Sequence, residues 1–511
     1  MSWLGGILFL PVATAIGRAL LPSRAALPRS RWEELAASYL LGASLVCVWG
    51  TALIAARLTF PLVFWSTLAL GAAALIFQLR RRDDGALAPL GWSRPQAGLL
   101  GALAVGSVLL TVALPLNEFD PILHFAYRAK ILLYQGTVLD EALLGMEGPL
   151  GYGRIATHPN YPIGLPILEA WAAFPGGWSD RWVQIPLAFW SASMPAVVAL
   201  GLRHRSRPAA RLGALLVACT PMLYVSDFLH HGLVDLRQAG LTNDAILGGG
   251  ADLPVAATFT LACALVVLSW RRGSLRLAAL AGLAFGGAAT FKNEGTALTA
   301  VALIAVACAS VLRPRPRLRP TLVTAAVCAL TIGPWLALRA ELPNIDEDYG
   351  SQLTLANVME KLGGGGEPLD MAPPGMAEES RRYAEEGSPL AQRRVTVGLA
   401  FGEEFVDVLS WGVLWFAVFL ALPVTRRRLA DLEWRWLGLV VFGALLMYAL
   451  VLLITPWFFP SLRLKGIPER LLLHLVGVSG LLVGAAAARL GAWPEVVAAA
   501  DDADAPPIGE A

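Results

Sequence analysis

The stretch Asn117-Glu-Phe-Asp-Pro-Ile-Leu-His-Phe-Ala-Tyr-Arg-Ala-Lys-Ile-Leu-Leu-Tyr-Gln-Gly136 brings an acid, an imidazole and a guanidinium within reach of one another. Pro121 suits a first helical turn, and Asp120 just before it suits an N-cap. On the helix that follows, His124, Tyr127, Arg128 and Ile131 recur at three and four residues, so they share one face with Asp120 at its start and Lys130 close by. Capping by Asp120 and headgroup contact by Arg128 account for the same residues without chemistry. A second group is Asp227-Phe-Leu-His-His-Gly-Leu-Val-Asp235, followed by Asn243-Asp244 and Gly250-Ala-Asp-Leu-Pro254. Asp227, His231 and Asp235 are one helical turn apart, which places two carboxylates and an imidazole on one face. The Asp-His-His-Asp set also has donors for a divalent cation, Mg or Mn, although no fixed ligand motif is present. Asp252 stands where a following span begins, and capping of that span is its simplest role. The third group is cationic: Lys292 in GGAATFKNEG, with Glu294 two residues on, and Arg463, Lys465 and Arg470 in TPWFFPSLRLKGIPERLLLH. Such groups serve phosphate oxygens, Arg through paired N–H donors and Lys as a point charge. Snorkelling to lipid headgroups is the alternative for each of them.

The elements that must position these residues are membrane spans. Of the 511 residues, 56% are apolar and only 15% are charged, and apolar stretches of about 20 residues recur along the whole chain, each long enough to cross a hydrocarbon layer. Candidate spans run over 3–22, 35–57, 60–79, 97–116, 183–201, 210–226, 252–270, 277–292, 295–312, 320–338, 397–422, 436–456 and 470–490, so about 11–13 transmembrane helices are expected in an all-α integral membrane protein. The first stretch has no basic residue ahead of it and no small-residue cleavage site, and is read as a retained span. Arginine is dense in 24–32, 80–82, 203–211, 271–276, 313–319 and 426–435, segments separated by even numbers of spans. The positive-inside rule makes all six cytoplasmic, with the N-terminus outside and the C-terminus inside. Asn117 to about Arg181, 227–251, the turn at Lys292, 341–394 and 456–469 are then non-cytoplasmic. Lys292 at the end of an apolar span is a functional candidate for that reason.

The expected organisation is N-terminal spans over 1–96, a core over 97–338 with outer loops at 117–181 and 227–251, a long outer loop over 339–396, C-terminal spans over 397–490 and an acidic, Ala- and Pro-rich tail over 491–511. The first outer loop reads as helices lying along the membrane surface. All five cysteines lie in apolar runs without CxxC spacing, which argues against disulfides and cysteine-bound metal. The net charge of +2 and the scattered arginines argue against nucleic-acid binding. No internal repeat is evident, and the ionisable residues gather at span ends rather than mid-span, which argues against a transporter.

An acid just after a span, followed by an amphipathic surface helix, resembles the first outer loop of the GT-C glycosyltransferases, polytopic enzymes that use polyprenyl-phosphate sugar donors. His158-Pro-Asn-Tyr-Pro-Ile-Gly-Leu-Pro166 is similar to the HPxYPxxxP stretch of the bacterial members related to protein mannosyltransferases and lipid A aminoarabinose transferases, and it adds His158 and Tyr161 to the candidates. The resemblance covers roughly 117–171, 227–295 and 455–475 in the expected order, and departs from the usual pattern in having three spans before the one that leads to Asp120. It implies a GT-C-like helical bundle, with Asp120 as general base and Asp252, or in reserve Asp244, as the second acid. Lys292 matches the TK.EG ending of its span, and Arg470 the family's Arg before Leu-Leu and His. Implied with it is transfer of a hexosyl or pentosyl group, with inversion, from a polyprenyl-phosphate sugar to a lipid, glycan or protein acceptor on the outer side of a bacterial inner membrane. His124, Arg128, Lys130, His158, Tyr161, His231, Asp235, Lys292, Glu294, Arg463, Lys465 and Arg470 are its expected substrate contacts. A polyprenyl-linked polysaccharide ligase or polymerase fits the same loops and cations.

Overall fold

The computed structural model describes residues 2–81, 85–113, 116, 121–139, 160–224, 250–311, 318–342, 354–356, 359, 389–425, 432–454 and 467–490. Among the described residues the chain is all-helical and contains no strand. Eight helices are long and apolar enough to cross a membrane, and a bent pair makes up to nine. Lipid explains why helices alone serve here: a span in hydrocarbon must satisfy every backbone N–H and C=O internally.

In chain order the helices are α1 (Trp3–Leu20), α2 (Arg31–Ala55), α3 (Phe60–Arg80), α4 (Arg94–Ala113), α5 (Tyr127–Gln135), α6 (Gly164–Ala173), α7 (Trp190–Leu202), α8 (Arg207–Ala218), α9 (Asp252–Arg272), α10 (Leu275–Phe291), α11 (Asn293–Val311), α12 (Leu318–Arg339), α13 (Pro389–Val406), α14 (Val408–Trp411), α15 (Leu414–Thr425), α16 (Leu432–Ile454), α17 (Ile467–Leu473) and α18 (Val476–Arg489). The centre of the bundle is α9, whose apolar window is wholly buried, flanked by α2, α7, α10 and α18. By contrast α4 is buried over only 11% of its window, which leaves an apolar helix facing the surroundings, as a lipid-facing span should. Close approach of α1 and α2 rests on two glycines. A Cβ on Gly17 would collide with the Ser38 carbonyl, and one on Gly42 with that of Ala13. Small residues at such crossings let helix backbones touch, the main source of attraction between spans in lipid.

Several expected spans are interrupted. The 397–422 stretch divides into α13, α14 and α15, because Asp407 caps α14 through Leu409 N–H and Gly412 then takes a left-handed φ of 57°. Among the described residues the 210–226 stretch gives α8, which stops at Ala218 ahead of Thr220-Pro221, and a single 3-10 turn at Pro221–Leu223. The 470–490 stretch starts earlier, at Ile467, and bends by 51° between α17 and α18. Most of the expected outer loops at 117–159, 227–249 and 343–388, and the tail from 491, lie outside the described residues.

Three of the arginine-rich segments, 24–32, 203–211 and 271–276, send arginines to carboxylates at one end of the bundle. Glu34 on α2 receives Arg18, Arg24 and Arg29, while Glu33 receives Arg203 at 2.5 Å. Glu433 at the start of α16 binds Arg205 at 2.6 Å and Arg271 at 2.5 Å, with His204 at 3.6 Å. Burial lowers the affinity of His204 for a proton below the ordinary histidine value, against the pull of Glu433. Arginine density, read from sequence as a sidedness signal, corresponds here to a network of buried carboxylates that staples α2, α7, α9 and α16 together.

Candidate functional site

At the other end of the 21-residue α9, about 30 Å from Arg272, the first helical turn carries Asp252. Its carboxylate is buried and accepts from three groups: Lys292 Nζ at 2.8 Å and His474 Nε2 at 2.9 Å on Oδ1, and Arg470 Nε at 2.9 Å on Oδ2. The capping alternative does not describe it, because Ala251 is the N-cap and no side chain caps the helix. A carboxylate in the first turn is still favoured by the helix dipole.

Each partner is placed by a helix end. Lys292 is the extended C-cap residue of α10, where a cation complements the carbonyl end of the dipole. It is 5% exposed, so it does not snorkel, and it also reaches Glu294 in the first turn of α11 at 3.1 Å. Arg470 lies in the last turn of the short α17. His474 occupies the break between α17 and α18, and its Nδ1 is 2.8 Å from the hydroxyl of Tyr448 on α16. The end of α10 and the α17–α18 joint thus supply three side chains to one carboxylate at the start of α9, with Glu294 behind Lys292 and Tyr448 behind His474.

The structure therefore brings together Asp252, Lys292, Glu294 and Arg470 from the sequence candidates and adds His474 and Tyr448. A second cluster lies on the segment between α4 and α7. Arg128 is fully buried on α5 and donates to the Tyr161 carbonyl at 2.6 Å, and the ring of His124 is 5.7 Å from that of Tyr161. Burial pulls the Arg128 guanidinium down to about 9. Tyr127 leaves the shared face and is exposed, because Pro121–Ala126 is π-helical and its wider turn shifts the register ahead of α5. Lys130 also points elsewhere, 3.9 Å from Asp180 and over the ring of Trp178. The two clusters abut where α6 meets α10: a Cβ on Gly164, three residues after Tyr161, would lie 2.5 Å from the carbonyl of Thr290, two residues before Lys292.

Asp120, Asp244, His158, His231, Asp235, Arg463 and Lys465, and with them the Asp-His-His-Asp cation set, lie outside the described residues. A different acidic trio, Glu404, Asp407 and Glu469, places one ligand atom from each residue within 4.8 Å of the others. Three carboxylate oxygens are hard donors suited to Mg or Mn rather than to a thiophilic metal. Glu169 on α6, which no sequence motif marks, is fully buried with neither oxygen hydrogen-bonded. Burial holds its carboxyl well above the usual range, against Lys130 and with Asp180 adding to the rise.

No family model matches the chain, and no curated protein matches it. Among solved structures, the archaeal oligosaccharyltransferase AglB from Archaeoglobus fulgidus in complex with an inhibitory peptide and a dolichol-phosphate aligns with a TM-score of 0.43 and 16% identity, over 80% of this chain and 52% of that one. The Archaeoglobus fulgidus oligosaccharyltransferase in complex with Zn and sulfate aligns with a TM-score of 0.39 and 16% identity, over 77% and 53% of the two chains. The chain spans about half the length of these structures.

Proposed function

We propose that this membrane protein transfers a sugar from a polyprenyl-phosphate donor to a lipid, glycan or protein acceptor on the non-cytoplasmic face. The observation that carries the reading is the convergence of Lys292 and Arg470 on Asp252 at the bundle end opposite the arginine network. Two cations held about one carboxylate form a cradle whose N–H donors phosphate oxygens can share with it or take over from it. Residues placed this way stabilise charge as it develops on a leaving group, the largest single contribution in many enzymes.

In the mechanism, Lys292 and Arg470 hold the donor phosphate, and Asp252 keeps the two at a fixed separation. Three donors already engage the lone pairs of Asp252, which leaves the base role to Asp120, with Asp244 in reserve. Asp120 takes the acceptor hydroxyl's proton as that oxygen attacks the anomeric carbon, and a single displacement inverts the centre. His124, Arg128 and Tyr161 form the adjoining wall on the first outer loop. If a divalent cation takes part, Glu404, Asp407 and Glu469 would hold it beside Arg470 and supply a fixed positive charge.

Mass spectrometry of membrane lipids and glycans with and without the gene identifies donor and acceptor, and transfer is then measured for Asp120→Asn. Asn keeps the size and capping capacity of Asp, so the protein should accumulate normally while the rate falls roughly 10²- to 10⁴-fold. Near-normal transfer by the folded variant would move the base role to Asp244. An unchanged lipid and glycan profile in the deletion strain would remove the proposal altogether.

A further inference from the structure

Asp252 accepts from three donors, and they differ in how readily they can turn to another acceptor. The Arg470 side chain is 22% exposed and bonds Oδ2 by itself. Lys292 shares Oδ1 with His474 and divides its ammonium between Asp252 and Glu294. His474 has no such freedom. Its side chain is fully buried, and Leu472, Leu473 and Leu475 beside it are buried as well. Nδ1 is bound to the hydroxyl of Tyr448, so the ring cannot turn away from Asp252 without giving up a second hydrogen bond. The backbone behind it is equally fixed. A Cβ on Gly477, in the first turn of α18, would collide with the Thr260 hydroxyl, so that turn presses directly on α9, the helix that carries Asp252.

Occupation of the cradle gives this difference a consequence. Phosphate oxygens drawn to Lys292 and Arg470 take N–H donors that Asp252 otherwise holds, one from each of its oxygens. A buried carboxylate stripped of its donors is costly, so any donor it retains makes the exchange easier. The donor it retains is Nε2 of His474, which carries a hydrogen because an ionised carboxylate only accepts. The Tyr448 oxygen can donate to Nδ1 or accept from it, so the brace holds in either state of that nitrogen and asks no proton to move.

We propose that His474, braced by Tyr448, is a positioning residue that retains Asp252 when a phosphate takes over Lys292 and Arg470. The proposal rests on the reading of those two residues as the phosphate cradle. With His474 in place the carboxylate stays where it is and receives both cations back once the phosphate leaves. Without it, Lys292 and Arg470 are the donors Asp252 has left, and a phosphate must strip the carboxylate bare in order to bind. The affinity of the cradle for a phosphate therefore depends on a histidine that lies behind the carboxylate and never touches the ligand.

The test is calorimetric binding of farnesyl phosphate to the full-length protein in detergent, for wild type, His474→Gln, His474→Leu and the double variant His474→Leu/Tyr448→Phe. Glutamine offers an N–H to Asp252 and a carbonyl to the Tyr448 hydroxyl, and should bind within about threefold of wild type. Leucine offers neither and should bind at least roughly tenfold more weakly, the worth of one hydrogen bond to a charged group. The double variant leaves no orphaned hydroxyl beside the leucine, so it should accumulate even where the single variant does not, and show the same loss. Packing alone predicts otherwise: leucine would suit the apolar surroundings at least as well as glutamine, and the folded protein would keep its affinity with either. In an Asp252→Asn background the leucine should cost nothing more, because His474 acts through that carboxylate, and a further loss there overturns the proposal. Lys292→Met is the control for the cradle and should itself lose affinity. If it does while the double variant binds like wild type, or while His474→Gln binds as poorly as the double variant, His474 has no positioning role and the cradle stands. Wild type that fails to bind, or Lys292→Met that binds as well as wild type, overturns the cradle and this proposal together.

Discussion

Uncoupling Asp252 from Lys292 should cost far more than breaking a surface ion pair. Their side chains are each 6% exposed and the N–O distance is 2.8 Å, which at an effective dielectric of about 20 corresponds to a gross attraction of about 6 kcal/mol. Desolvation has already been met in the folded state, so removing one partner leaves the other buried and uncompensated, at a cost of about 3–5 kcal/mol. Two features lower the coupling between this pair: Glu294 shares the Lys292 ammonium at 3.1 Å, and Arg470, the other cation on Asp252, is 22% exposed. A coupling of about 2–4 kcal/mol is expected. Asp252→Asn has a further penalty, since its amide must turn an N–H toward either Arg470 Nε or the donors on Oδ1. Wild type, Asp252→Asn, Lys292→Met and the double variant, unfolded by a denaturing detergent in mixed micelles, complete a thermodynamic cycle. Additivity within about 0.5 kcal/mol would show that the two residues act independently, and the cradle argument would fail with it.

Three further outcomes follow from the fold. Glu169 holds a proton in the native state that the unfolded chain releases above its ordinary value of 4.5, so stability should fall as pH rises, by up to about 1.4 kcal/mol per unit; melting curves of Glu169→Gln should lack that slope, and parallel curves would refute the assignment. His204 is shifted the other way, so the unfolded state binds a proton first and stability should drop as pH falls below 6.5; His204→Gln should flatten this acid limb, and an unchanged limb in that variant would count against it. Gly42→Leu should prevent the α1–α2 crossing and abolish folded protein on size-exclusion chromatography, whereas Leu8→Ala, on α1 where packing is only partial, should be recovered in good yield.

Spans were readable from sequence because hydropathy is a local property, and Lys292 stood out because an ionisable group at the edge of a long apolar run is expensive, whereas Asp252 read locally as a cap and became a candidate only through the resemblance of its loop to the GT-C pattern. What local patterns could not give was partnership. Asp252 and His474 are 222 residues apart, and Tyr448 sits within the apolar run LLMYAL with nothing at helical spacing to mark it. His474 is a single histidine after three leucines, which sequence alone assigns to the core as readily as to a site. Glu33, Glu34 and Glu433 escaped for the same reason: the arginines were visible as clusters, but the carboxylates that gather them come from α2 and α16. The register shift that turns Tyr127 outward depends on a π-helical turn, which the three-and-four spacing of an ordinary helix does not anticipate.

The 51° bend at His474 divides the last span into unequal arms. The long arm, α18, is wedged among α7, α8, α9, α15 and α16, while the short one touches mainly α9 and α13. Arg470 lies four residues from the joint, about 6 Å along the axis, so a swing of ten degrees there would carry its backbone by roughly 1 Å. A displacement of that size is enough to lengthen a hydrogen bond past its useful range, yet it asks nothing of the wedged arm. The joint therefore sets the reach of Arg470: the angle at His474, and not the packing of α18, decides where the seven-residue α17 holds that guanidinium relative to Asp252.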